Sequence, residues 1–193
     1  MLKLTYKGLT IEIITELYPE NPRESMEHLG KMVCWHKRHR LGDNHKFGTP
    51  EEFRAFLTKT KAKIVVFPLY LFDHSGLILA THPFSCHWDS GRLGWIYATY
   101  NDIRRYFGSG KVDEEILAKA KADLTGEVEE YNSYLSGDVY EFHVSDKDED
   151  EIESCCGYIG REDAAIADAK SAARSFMKYQ VKNLRGVRSF THA

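Results

Sequence analysis

Residues Tyr70–Tyr97, YLFDHSGLILATHPFSCHWDSGRLGWIY, set the reading of the fold. Apolar runs lie on either side of Asp73-His74-Ser75-Gly76 and Asp89-Ser90-Gly91. Asp and Ser bond the local backbone and Gly supplies positive φ, so both groups read as tight turns between strands. The preceding run Lys63–Phe72, KIVVFPLYLF, is almost continuously apolar and predicts a buried strand, with Pro68 marking a bulge or sheet edge. Leu77–Thr81 and Gly94–Thr99 follow as strands.

Leu2-Leu4-Tyr6 and Ile11-Ile13 alternate around Lys7-Gly8 and predict a hairpin. Glu20–Glu24 reads as a turn or loop, because Pro22 holds Asn21 extended. Lys31–His36 is a short strand, and Lys37–Gly48 a polar loop rich in His and basic residues. Thr49-Pro50-Glu51-Glu52 has the form of a capped helix start, with Phe53, Phe56 and Leu57 inward. A short helix Asn101–Phe107 stops at Gly108. A long one over Asp113–Leu135 carries Leu117, Leu124, Val128, Tyr131 and Leu135 at three- and four-residue spacing. A second hairpin, Val139–Val144 with Ile152–Ile159, has the acidic tip Asp146–Glu151. Arg161–Arg185 closes the chain as a helix, with Ile166, Ala169, Ala173, Phe176, Met177 and Leu184 on one line. This order predicts an α+β fold in a single domain over 1–193. Its mainly antiparallel sheet has about six to eight strands, with a long central helix and the C-terminal helix packed on it.

The 193 residues contain no run long enough to span a membrane and no pattern of an export signal. The expectation is a cytoplasmic protein with reduced thiols. Cys155 and Cys156 are strand neighbours pointing to opposite faces. A net charge of −3 conceals a strong asymmetry. Residues 1–112 carry 16 Lys/Arg and 11 Asp/Glu, residues 113–153 carry 3 and 15, and residues 154–193 carry 7 and 3. An acidic middle between basic ends suits a charged contact surface; it also suits a solvated helix face and a hairpin tip.

Several separate stretches resemble a family of small phage and mobile-element proteins. These are Pro19–His45 (PENPRESMEHLGKMVCWHKRHRLGDNH), PLYLFDHSG, THPFSCHWDSGRLGWIY, SYLSGDVYEFHV and the Cys-Gly-Tyr run at Gly157. The resemblance implies a setting, that of an accessory protein of a phage, plasmid or integrated element, and no particular mechanism. The chain departs from the family pattern at Glu27-His28, where an acid–amide pair is the rule, and at Leu17-Tyr18, where acids are. A metal site built on those acids does not carry over.

For catalysis, Cys86 with His74 or His87 and with Asp73 or Asp89 supplies the residue types of a thiol hydrolase. No helix start follows Cys86 to lower its pKa, and free Cys is commonly a small buried apolar residue. Ser75 and Ser90 are serine alternatives inside turn sequences. For a divalent metal, His36, His39, Asp43 and His45 share one polar stretch, with Cys34 two residues before His36. Their spacing matches no standard pattern. Asp146–Gly157 fails as a calcium loop, since Glu151 stands where Gly is required. For nucleic acid, Arg38 and Arg40 follow Trp35, and Lys170, Arg174, Lys178 and Lys182 recur every four residues on the last helix. A pI near 6.3 is low for a duplex binder.

Two function classes follow. One is an interaction protein that binds a host protein or nucleoprotein complex and modulates or inhibits a host defence or nucleic-acid enzyme. Its contacts would be the acidic helix, with Glu127, Glu129 and Glu130, or the basic loop 36–46. The other is a small hydrolase or transferase on a nucleotide or nucleic acid. Its site would be built from Asp43, His45, Asp73, His74, Cys86 and Asp89.

Overall fold

In the computed structural model, residues 1–60, 63–86 and 88–188 are described, with side chains inside the last helix described to residue 180. The fold is α+β, with two four-stranded antiparallel sheets in place of one continuous sheet. The chain divides into two compact units, where the length alone suggested one. One unit is Met1–Pro19 together with the chain from Gly137 onward; the other, Glu20–Ser136, is inserted between its strands.

The outer unit holds β1 (Leu2–Tyr6), β2 (Leu9–Thr15), β7 (Val139–Ser145), β8 (Glu151–Ile159) and α5 (Glu162–Arg188), its sheet ordered β1-β2-β7-β8. Lys7 and Gly8 both have positive φ, 54° and 82°, as the expected two-residue hairpin turn requires. Ile11, Ile13, Phe142 and Val144 face a line of small residues on α5 (Ala165, Ala169, Ala173), all buried. Alanines let the helix lie close against the pleated sheet. The acidic tip of the second hairpin is an Asp-centred turn: Asp146 Oδ1 accepts from Asp148 N and Asp150 N at 2.9 and 3.1 Å. Lys182 and Leu184, which continue the basic and apolar stripes of α5, lie outside the side chains described.

The inserted unit runs α1 (Pro22–Ser25), β3 (Lys31–Cys34), α2 (Pro50–Thr60), β4 (Ile64–Asp73), β5 (Leu77–Ala80), β6 (Ser90–Thr99), α3 (Tyr100–Phe107) and α4 (Glu114–Leu135). Its sheet order is β3-β6-β4-β5. Leu69, Leu71, Leu93, Ile96 and Ala98 turn to one face, under Leu124, Val128 and Tyr131 of α4. Val33, Trp95 and Tyr97 turn to the other, under Phe53 of α2. Phe53 lies 5.1–5.8 Å, centroid to centroid, from Phe47, Phe56, Trp95 and Tyr97. Such ring pairs add about 0.5–1.5 kcal/mol each beyond the burial itself. β5 pairs only with residues 70–73 of β4, so Pro68 has a strand neighbour on one side alone, next to a bulge at Leu69/Tyr70.

Two local expectations are corrected. Where Glu20–Glu24 reads as a turn or loop, the one-turn helix α1 starts at Pro22, because extended Asn21 caps it (Arg23 N to Asn21 Oδ1, 3.1 Å) and Pro22 fits its first position. Asp89-Ser90-Gly91 is no glycine turn. Ser90 and Gly91 already belong to β6, paired with Phe72 and Leu71, and neither Gly91 nor Gly76 has positive φ.

Candidate functional site

The inserted unit is organised by a buried ion network. The Arg23 side chain, 1% exposed, donates from Nε and Nη2 to the two Asp43 oxygens at 2.8 and 2.7 Å. It also donates to Glu127 Oε2 at 2.9 Å and to the Gly30 carbonyl at 2.7 Å. The acids are further satisfied by backbone: Gly30 N to Glu127 Oε1 at 2.9 Å and Met32 N to Asp43 Oδ2 at 2.8 Å. Burial opposes the charge on Arg23, but the two carboxylates outweigh it and raise its pKa further. A Cβ on Gly30 would lie 2.4 Å from the end of Leu124 and 2.8 Å from the ends of Glu127 and Ile96, so those side chains would have to move to admit it.

This network fixes the base of the polar loop that follows β3. The outgoing leg extends the sheet, Trp35 N donating to Leu93 O at 3.0 Å. The returning leg is stitched to it. Asp43 N donates to Met32 O at 2.9 Å, Gly42 N to the Tyr131 hydroxyl at 3.1 Å, and His45 Nε2 to Cys34 O at 3.1 Å. Gly42 has φ +70° and a Cβ on it would sit 2.8 Å from Met32 O, so the crossing of the legs requires glycine. Cys34 is sealed beneath; burial, with Asp43 beside it, pushes its thiol up to about 12. Beside the legs, Trp35 Nε1 and His45 Nδ1 are buried without a hydrogen-bond partner, their rings 4.9 Å apart.

The tip, residues 37–40, is exposed. His39 N donates to His36 Nδ1 at 3.1 Å and the two imidazoles stack at 5.2 Å. The tip reaches the end of β4, where Arg38 pairs with Asp73 and the Nε2 atoms of His36 and His39 stand 3.9 and 4.0 Å from the same carboxylate. Burial, His39 and Arg38 lower the pKa of His36, against the pull of Asp73. The loop encloses an open hollow of about 750 Å³ lined by its own residues from Cys34 to His45. A second, of about 360 Å³, lies between His36, Arg38, Asp73 and the start of β6. Trp88 borders the second and is 95% exposed.

The residues proposed for catalysis fall into separate groups. Asp43 belongs to the ion network and His45 to the loop legs. Asp73 serves Arg38 and the two histidines. Only His74, Cys86 and Asp89 meet: Cys86 Sγ donates to Asp89 Oδ2 at 3.7 Å, and His74 Nδ1 stands 3.4 Å from the same oxygen. The carboxylate is then between thiol and imidazole, whereas a thiol nucleophile needs the imidazole against the sulfur. His87 lies outside the described residues. Ser75 is exposed in the turn, and Ser90 Oγ donates to the Cys86 carbonyl. His36, Asp43 and His45 are not brought together as a ligand set, since Asp43 is held by Arg23, His36 faces Asp73 and His45 faces Cys34 O. Among the described residues no three His, Cys, Asp or Glu side chains gather as a metal ion would need.

The surface residues also separate. Glu127 is no contact residue: it is buried in the ion network. Glu129 is exposed, and Glu130 is half-buried with His28 Nδ1 3.9 Å away. On α5 of the outer unit, Arg174 and Lys178 are exposed and Lys170 half-buried, with Arg174 donating to the Tyr6 hydroxyl at 3.4 Å. The spacing on α4 did carry a signal for Glu127: it falls three residues after Leu124 and four before Tyr131, on the apolar line itself. No helix among the described residues is long and apolar enough to cross a membrane. Compared with protein-family models, curated proteins and solved structures, the chain matches none of them.

Proposed function

We propose that the chain is an interaction protein of a phage or other mobile element. It acts in the host cytoplasm by binding a host protein or nucleoprotein complex and modulating a defence or nucleic-acid enzyme. One observation carries the reading: the loop after β3 is anchored at both legs, yet it spends that order on an exposed tip of Lys37, Arg38, His39 and Arg40. A rigidly held, charged loop loses little freedom on docking, which favours its use as a contact surface. The basic loop replaces the acidic helix as the preferred surface, because Glu127 supports the fold.

The test is co-purification from infected or transformed cells with a triple variant, Lys37→Glu, Arg38→Glu and Arg40→Glu, beside Glu129→Lys. The loop variant should lose the partner and Glu129→Lys should keep it. Full recovery by the loop variant would remove the loop from the account. The adjacency of Cys86, Asp89 and His74 favours a second reading, a small hydrolase or transferase on a nucleotide or nucleic acid. Turnover of a nucleotide panel that survives Cys86→Ala would end it.

A further inference from the structure

We infer that the loop tip and the strand ends beside it form a site for single-stranded nucleic acid. This rests on the reading above, that the loop face is the contact surface, and it names the partner. Trp88 is 95% exposed, so its indole contributes almost nothing to a core. Nearby, the Arg92 guanidinium lies 4.7 Å from the Tyr70 ring centroid and 5.3 Å from that of Trp95, and donates to the Tyr70 hydroxyl at 2.9 Å. Arg92 and Trp88 border the same hollow as Arg38 and His36. Exposed aromatic faces and guanidinium groups along a cationic groove are what a flexible strand uses, with bases on the rings and phosphates on the cations.

The charges divide the site. Asp73 and Asp89 also border that hollow, Asp73 paired with Arg38 and Asp89 facing His74. Phosphates are therefore placed on Lys37 and Arg40, which line the loop's own hollow, joined to that one through His36 and Arg38, and pair with no carboxylate among the described residues; Arg40 donates to Asn44. Bases are placed on Trp88 and on the Tyr70–Arg92 pair. A duplex, whose bases already stack on one another, offers nothing to Trp88. An acidic protein surface would use the cations and leave the indole idle.

The assay is fluorescence anisotropy of a labelled oligodeoxythymidylate of about 20 nucleotides with the full chain. Binding should weaken about 5- to 150-fold in Trp88→Ala, the range of one lost base–aromatic stack. Lys37→Glu with Arg40→Glu should weaken binding and reduce the slope of log K against log salt by about 1.4, as for two single-strand phosphate contacts. Lys170→Glu with Arg174→Glu should change nothing. Unchanged binding by Trp88→Ala, or a duplex bound as tightly, overturns the inference. So does displacement of the oligonucleotide by polyglutamate at equal charge, which indicates an acidic protein partner. If the chain binds no oligonucleotide while the loop variant still loses its co-purifying partner, this inference fails and the interaction reading stands. If neither assay responds to the loop, both fail.

Discussion

Replacing Arg23 by Met removes the one guanidinium that serves Asp43, Glu127 and the Gly30 carbonyl. Met fills much of the same volume, so the loss is one of charge and hydrogen bonds. Each acid keeps a backbone donor, Met32 N or Gly30 N, but the pair is left without its cation at side-chain exposures of 20% and 9%. Breaking a buried ion pair from one side costs about 3–5 kcal/mol; the partial exposure of Asp43 places the expectation toward the lower end. All three tryptophans, Trp35, Trp88 and Trp95, lie in the inserted unit, so their fluorescence follows the unfolding of that unit alone. With a urea dependence of about 1.5–2 kcal/mol per molar, the midpoint should fall by roughly 1.5–3 M. Arg23→Met combined with Glu127→Leu should be less damaging than Arg23→Met alone, because an apolar pair leaves one fewer uncompensated charge. A midpoint shift below about 0.5 M for Arg23→Met, or a double variant worse than the single, would mean that compensation of buried charge does not hold the loop base.

Other outcomes are expected from the same geometry. Gly94→Ala should cost more than about 3 kcal/mol in thermal or urea melts, the upper end for ordinary overpacking, because its Cβ would lie 1.9 Å from the Val33 carbonyl oxygen, a backbone atom that cannot swing aside. With a thiol reagent at pH 8, the exposed Cys155 and Cys156 should react first and half-buried Cys86 next, while Cys34 should react only after denaturation. His143 on β7 should titrate above the usual imidazole range, because Glu151 and then Glu141 bond it, and Glu151 should titrate below the usual carboxylate range. The His143 share of hairpin stability is full below the unfolded imidazole pKa and is lost as pH rises through its folded value. The Glu151 share is present above the unfolded carboxylate pKa and is lost as pH falls through its folded value. The pair should therefore help most in the mildly acidic interval between those two limits, and NMR titration with His143→Gln as reference would measure it. The surface exposure of both groups keeps the effect small, because solvent and salt screen the pair.

The elements with strong local codes were readable. The Lys7-Gly8 turn, the Gly108 stop and the apolar stripes of α4 and α5 each follow from a few neighbouring residues. What one-dimensional pattern misread was polar chemistry with distant partners. Glu127 looked like one more acid on a solvated helix until Arg23, 104 positions away, claimed it. Pro19–His45 stood out as a stretch resembling a family of phage and mobile-element proteins, and it holds Pro22, Arg23, Gly30, Gly42 and Asp43. The structure uses them to brace a loop, so that stretch encodes support for a site more than the site. Asp89-Ser90-Gly91 failed for the opposite reason: its local turn preference yields to pairing of β6 with the full length of β4. The aromatic–cation group at Trp88 and Arg92 joins residues from two strand ends and a loop, a juxtaposition only the sheet registers create.

The insertion also bears on how the chain reaches its fold. β2 and β7 are bonded neighbours from Thr10↔Ser145 to Thr15↔Tyr140, and the Glu16 amide donates to the Val139 carbonyl at 2.8 Å. Everything from Glu20 to Ser136 lies between those two strands in sequence. While that stretch is a random chain, joining β2 to β7 carries a loop-closure entropy of about 4 kcal/mol, scaling with the logarithm of its length. Once the stretch has folded, it acts as a short link between Pro19 and Gly137. Damage confined to the Arg23 network should then slow assembly of a sheet to which none of its residues belongs.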